Sequence, residues 1–338
     1  MKKNKLRWGA VIATSAIVLS GCASGGAEAD GGGTSVEALP GDPEHLNPHL
    51  VASPTVERLG AAIFDTLVRV TPDMDVIPWL AESYEIEDDG RVVTFHLRQD
   101  VTWHDGEPFD ADDVKFNLEE VLPLSYAGGP LAGAIESVDA PDSHTVVVNM
   151  KPFGPILPAF ASQFMLPEHI YSGTDFLTNP ANTDPIGTGA MMFESLSQGE
   201  DVVLVKNQDY WGGDTPVERA IYAVMPDANT RSIAIQDGTV DLDWSQDPAQ
   251  VRQFVDDPSL EVSSDGAIAQ SVMLFFNTRE ENLADEEVRS LLYRAINREE
   301  IAEVSMSGVG TAPTSILPPD TPWTVDASDQ ISAGSAPD

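Results

Sequence analysis

The stretch PWLAESYEIEDDGRVVTFHLRQDVTWHDGEPFDADDVKF, residues 78–116, decides the fold. Asp89-Gly90 is a strong turn signal, and Val93, Phe95 and Leu97 alternate behind it. A β-hairpin is therefore expected around Glu87-Asp88-Asp89-Gly90. Gly106 in Asp105-Gly106 suits a turn with positive φ, and Trp103 and Phe109 read as core aromatics. Asp110 reads as a helix cap with Asp113 as its capping-box partner, and Val114, Leu118, Val121 and Leu122 form the apolar stripe. Strand period gives way to helix period within one short stretch, so an α/β or α+β body is expected.

The same alternation extends both ways. Upstream, Ser53-Pro54 reads as an N-cap followed by proline in the first helical position, with Val56, Leu59, Ile63 and Leu67 on one face. Downstream, residues 144–150 alternate as a strand, and residues 202–205 form a continuous apolar run suited to a buried strand. Asp285 is expected to cap a helix with Val288, Leu291, Leu292, Ala295 and Ile296 facing inward. There is no internal repeat. The elements point to an α/β or α+β body with more than one sheet.

Composition narrows the function. A length of 338 residues suggests two domains at about 150 residues each, and 42% hydrophobic residues supply a core. With 55 acidic and 18 basic residues the net charge is −37, which rules out nucleic-acid binding through a basic groove. One cysteine makes neither an internal disulfide nor a multi-cysteine zinc site. His45 and His49 are four apart, but Pro48 between them argues against a helix that would pair them on a metal. No Gly-x-Ser-x-Gly, His-Glu-x-x-His or phosphate-binding glycine loop is present, so no catalytic residue, cofactor or metal site is expected.

The amino terminus reads as a processing signal. Lys2, Lys3, Lys5 and Arg7 precede the apolar residues 8–19, a run short for a membrane span. Leu19-Ser20-Gly21-Cys22 resembles the lipobox of bacterial lipoproteins, which implies a diacylglycerol on Cys22 and cleavage before it. Residues 1–21 are then a signal peptide, 22–34 a Gly/Ala/acid tether, and the mature protein is anchored in the cell membrane on its extracytoplasmic face.

The signature of residues 78–116 is followed by Pro185-Ile186-Gly187-Thr188-Gly189, Lys206-Asn207-Gln208-Asp209-Tyr210-Trp211-Gly212-Gly213 and Val224-Met225-Pro226-Asp227. Gly238-Thr239-Val240-Asp241, Phe276-Asn277, Val288-Arg289 and Tyr293-Arg294-Ala295-Ile296-Asn297-Arg298 complete the order. This collinear set resembles the family 5 solute-binding proteins of peptide, dipeptide and nickel ABC importers. The resemblance implies a two-lobed periplasmic-binding-protein-like fold (type II, cluster C) with an accessory subdomain. Lobe 1 is expected over 35–63 and 156–265, the subdomain over 64–155, and the start of an incomplete lobe 2 over 266–338. It also implies hinge closure on a small solute, an oligopeptide or dipeptide above all, by a monomer that serves an ABC permease and its ATPase. A non-transporting ligand sensor and a nickel-chelate or sugar binder are the alternatives. Complete members continue into a large second lobe, so the chain is expected to be a truncated form.

Most signature residues are expected to be scaffold. Arg98 and Arg289 are expected to pair with carboxylates, and Tyr210-Trp211 to anchor a glycine turn. The candidate ligand contacts are His45, Leu46 and Asn47 in the connection after the first strand, and Ser53, Thr55 and Val56 at the helix start. Gly187 and Thr188, Trp244, and Asn277 at the end of the apolar residues 272–276 complete the set. Free N–H groups at that helix start would favour a carboxylate.

Overall fold

The computed structural model describes residues 33–154, 156–244, 248–255, 257–263, 274–305 and 307. The expected signal peptide, Cys22 and most of the expected tether lie outside them. Strand β1 (Gly33–Leu39) takes up Gly33 and Thr34, so the folded chain begins two residues inside the stretch expected as tether.

Ser53 caps α1 (Pro54–Ile63), its hydroxyl accepting from Val56 N, with proline in the first turn and Val56, Leu59 and Ile63 buried. The helix stops before Leu67 because its end is taken by another segment. Phe64 turns extended, and Gly189 N donates to Ile63 O at 2.8 Å. Leu67 is buried all the same, from the chain leading into β2 (Val68–Val70), which pairs with β3 (Val76–Pro78).

β4 (Ala81–Glu87) and β5 (Val92–Leu97) form the expected hairpin. The turn needs three successive positive φ values, at Asp88, Asp89 and Gly90, which Asp and Gly tolerate best. With β6 (Ile135–Asp142) and β7 (Thr145–Met150) they make an antiparallel sheet in the order β4-β5-β7-β6. Val93, Phe95, Val146 and Val148 are fully buried beneath it, with Trp103 and Phe109 edge-to-face at 5.7 Å. Helix α2 (Ala111–Phe116) starts in a complete capping box between Asp110 and Asp113, continues through a π-helical turn at Asn117–Val121, and is followed by α3 (Gly129–Ala134).

The chain then forms α4 (Ile156–Ala161), α5 (Glu168–Tyr171), β8 (Met191–Ser197), β9 (Asp201–Lys206) and β10 (Val217–Val224). Next come α6 (Ala228–Asp237), β11 (Leu242–Asp243) and α7 (Pro248–Phe254). The second sheet runs β11-β1-β10-β9-β8: β1 is parallel to β10 and β11, and β9 is antiparallel to β10 and β8. Leu39, Val202, Leu204 and Tyr222 pack with α1 on one face, and Ala38 packs with Ala234 of α6 on the other. Phe160 and Met165 join the core of the antiparallel sheet.

The last described elements are α8 (Glu281–Ala284), α9 (Glu286–Arg294) and α10 (Arg298–Ser305). Asp285 caps α9 as expected, but the inward stripe is not realised. Leu291 is 60% exposed, Val288, Leu292 and Ala295 are also exposed, and no described element covers them. The two arginines also differ from expectation. Arg98 donates to Trp79 O and lies 4.5 Å from the centroid of the Trp211 ring. Arg289 donates to the carbonyls of Leu283 and Ala284.

Candidate functional site

Three parallel strands, β1, β10 and β11, end on one side of the five-stranded sheet. The chain leaves them as residues 40–53, as residues 225–227, and at Trp244. In open α/β sheets ligands bind outside the carboxyl ends of such strands. Pairing of β1 with β11 brings Trp244 to the carboxyl end of β1, where the connection that carries His45 to Ser53 begins, a neighbourhood the sequence spacing did not show.

The expected contacts divide by burial. His45 is half-buried, and its Nδ1 is buried with no hydrogen-bond partner. Burial lowers its pKa, against the opposing pull of Glu44. Ser53 is half-buried and Trp244 exposed. Leu46 and Asn47 have no exposed surface. Asn47 donates to Asn182 Oδ1 at 2.8 Å and accepts from His49 N. Thr55 and Val56 face inward from α1.

Gly187 and Thr188 sit at the other end of α1, about 15 Å from Ser53 for a ten-residue helix. A Cβ on Gly187 would stand 1.9 Å from Ile63 O, so glycine serves close backbone packing there. Its N and O exchange hydrogen bonds with His104 Nδ1 and N. Asn277 is exposed, and its hydrogen bonds are local, to Arg279 N and Glu280 N. Leu274 and Phe275 before it are 63% and 82% exposed and Phe276 is half-buried; residues 272 and 273 lie outside the described residues.

The structure adds contacts that sequence reading missed. Tyr126 donates its hydroxyl to Glu57 Oε1 at 2.8 Å and its N–H to His49 O, so residues 122–128 flank the β1–α1 connection. Glu57 already places a carboxylate in the first turn of α1, which offsets the preference for an anion expected there. Arg58 is held by both oxygens of Glu37. His49 Nε2 lies 2.7 Å from Phe164 O and Nδ1 3.2 Å from Ser125 Oγ. A carbonyl only accepts, so Nε2 carries the proton and the ring is neutral; burial pushes its pKa down to about 4. On the α6 face, Asp243 Oδ1 is 3.4 Å from Arg231 Nε with both carboxylate oxygens otherwise unpartnered, and burial raises its pKa. Among the described residues no three His, Cys, Asp or Glu side chains are arranged to hold a metal ion.

The family model of bacterial extracellular solute-binding proteins, family 5 (middle), matches residues 75–336. The chain belongs to this family. It is 29% identical over 289 residues to the nickel-binding periplasmic protein of Escherichia coli K12, covering 82% of this chain and 54% of that one. It is 28% identical over 316 residues to the dipeptide-binding protein of the same organism, covering 86% and 59%. The crystal structure of the ABC transporter substrate-binding protein CtaP of Listeria monocytogenes superposes with a TM-score of 0.72 at 26% identity, covering 88% of this chain and 62% of that one. The chain thus spans between half and two-thirds of the length of these family 5 relatives. The α/β, type II fold expected from the sequence is the fold they share. Family 5 is a family of binding proteins and not of enzymes.

Proposed function

We propose that the protein captures a small solute outside the cell and hands it to an ABC permease with its ATPase. The solute is an oligopeptide or dipeptide, bound as a monomeric receptor closes a hinge between two lobes. Family membership supports the capture role, and a relative that binds dipeptides supports the solute class. The single observation that carries the placement is the convergence of β1, β10 and β11 on the connection holding His45 and Ser53, next to Trp244. Of the expected contacts at the carboxyl ends of these strands, His45, Ser53 and Trp244 have surface to offer. His45 offers the exposed part of its ring, Ser53 a hydroxyl, and Trp244 a ring face, and the buried His45 Nδ1 has no hydrogen-bond partner.

Leu46, Asn47, Thr55 and Val56 act behind this surface by holding its backbone, while Gly187 and Thr188 pack at the other end of α1. Asn277 belongs to the passage into the second lobe. Residues 64–155 form the accessory subdomain on lobe 1, residues 35–63 and 156–265 the rest of that lobe, and residues 266–338 the start of lobe 2. Acylation of Cys22 tethers the receptor to the membrane, since two or more acyl chains give stable anchoring.

The test is mass spectrometry of solutes released from the protein after capture from its own cells under native conditions. Short peptides enriched over a mock capture are the expected result. A nickel chelate in their place, or the absence of any enriched solute, overturns the peptide reading.

A further inference from the structure

Asp65 is the most heavily engaged buried carboxylate among the described residues. It has no exposed surface, and its two oxygens divide their donors by origin. Oδ1 accepts from Arg69 Nη2 at 3.0 Å, in β2, and from Trp79 Nε1 at 2.7 Å, just after β3. Oδ2 accepts from Thr188 Oγ1 at 3.0 Å, ahead of β8, and from Trp211 Nε1 at 3.2 Å, beyond β9. One oxygen thus serves the β2–β3 side and the other serves the five-stranded sheet. The two indoles meet edge-to-face at 5.1 Å, and the Arg69 guanidinium lies 3.7 Å from the centroid of Trp79.

We propose that Asp65 is a positioning residue: the joint that fixes the antiparallel sheet and its helices on the five-stranded sheet, and through them seats Tyr126 against the β1–α1 connection. The path is continuous. Leu67, Val68 and Leu80 beside the β2–β3 pair, and Leu118, Leu122 and Leu131 either side of the Tyr126 segment, belong to the same core as Val93 and Phe95. That segment meets the connection through Tyr126 N to His49 O at 3.0 Å and Ser125 Oγ to His49 Nδ1 at 3.2 Å. Only a carboxylate can serve the joint. An asparagine has one acceptor oxygen, so its amide N–H groups must face one of the two donor pairs and that side is released. The importance of Tyr126 for solute rests on the function proposed above; the positioning itself does not.

Amide hydrogen exchange and near-ultraviolet circular dichroism on the purified 338-residue chain, without solute, separate these claims. In Asp65→Asn the Tyr126 amide should exchange about tenfold faster and the tryptophan band should weaken, while β9 and β10 amides keep their protection. Thr188→Val, which removes one donor, should show the same pattern to a smaller extent, and it decides the matter alone if Asp65→Asn does not fold. Tyr126 protection equal to that of the unchanged chain, or loss of protection in β9 and β10 by the same factor, overturns the proposal. Because no solute is present, these outcomes do not depend on whether the protein binds peptides.

Discussion

His49 shows how one buried side chain ties stability to pH. Its ring is neutral and enclosed, and its pKa lies at about 4 against an ordinary value of 6.5. Below pH 6.5 the unfolded chain takes up a proton that the folded chain refuses, so stability falls with falling pH until the folded ring protonates near pH 4. The loss across that window amounts to about 3 kcal/mol. Urea melts of the native chain and of His49→Gln at several pH values check this: the variant should lose the part of the slope that belongs to the imidazole. Gly187 makes a steric counterpart. Since a Cβ there meets Ile63 O at 1.9 Å, Gly187→Ala should destabilise by about 3 kcal/mol or more, read as a lower urea midpoint.

Among the elements, α2 and α9 respond differently to the same kind of signal. Both are capped by aspartate as the sequence predicts. Asp110→Ala should cost about 1 kcal/mol, because it removes one half of a capping box. Val114, Leu118 and Leu122 of the α2 stripe meet the core of the antiparallel sheet and Val121 meets the core around α1, whereas the stripe of α9 meets no described element. Side-chain period says which residues share a face; it does not supply the partner for that face. The exposed Leu291, Phe275 and Leu274 should make the chain bind a hydrophobic dye such as ANS. Leu291→Glu should lower the fluorescence without lowering the melting temperature, and a melting temperature that falls with it would mean the stripe is covered.

For the whole molecule, charge is the dominant long-range term. A net charge of −37 repels itself in the compact state, and the described ion pairs offset only a few of the 55 acidic groups. Raising ionic strength from about 0.1 M to about 1 M shortens the screening length from roughly 10 Å to roughly 3 Å, so added sodium chloride should raise the melting temperature. A flat or falling salt dependence by differential scanning calorimetry would show that specific pairs outweigh the overall repulsion.

What the sequence determined by itself was local: the Asp89-Gly90 hairpin, the Ser53 and Asp110 caps, the buried alternation of Val93, Phe95 and Leu97, and the order of signature segments that marks the family. Those features depend on neighbours within a few residues, where turn chemistry, capping and side-chain period act. Tertiary structure alone decided that Trp244 stands at the carboxyl end of β1, that Leu46 and Asn47 are enclosed, and that Thr188 and Trp211 share a carboxylate with Trp79. Such contacts join residues far apart in sequence. A buried polar group takes whichever donor the packed sheets bring within reach, and periodicity along the chain carries no record of that choice.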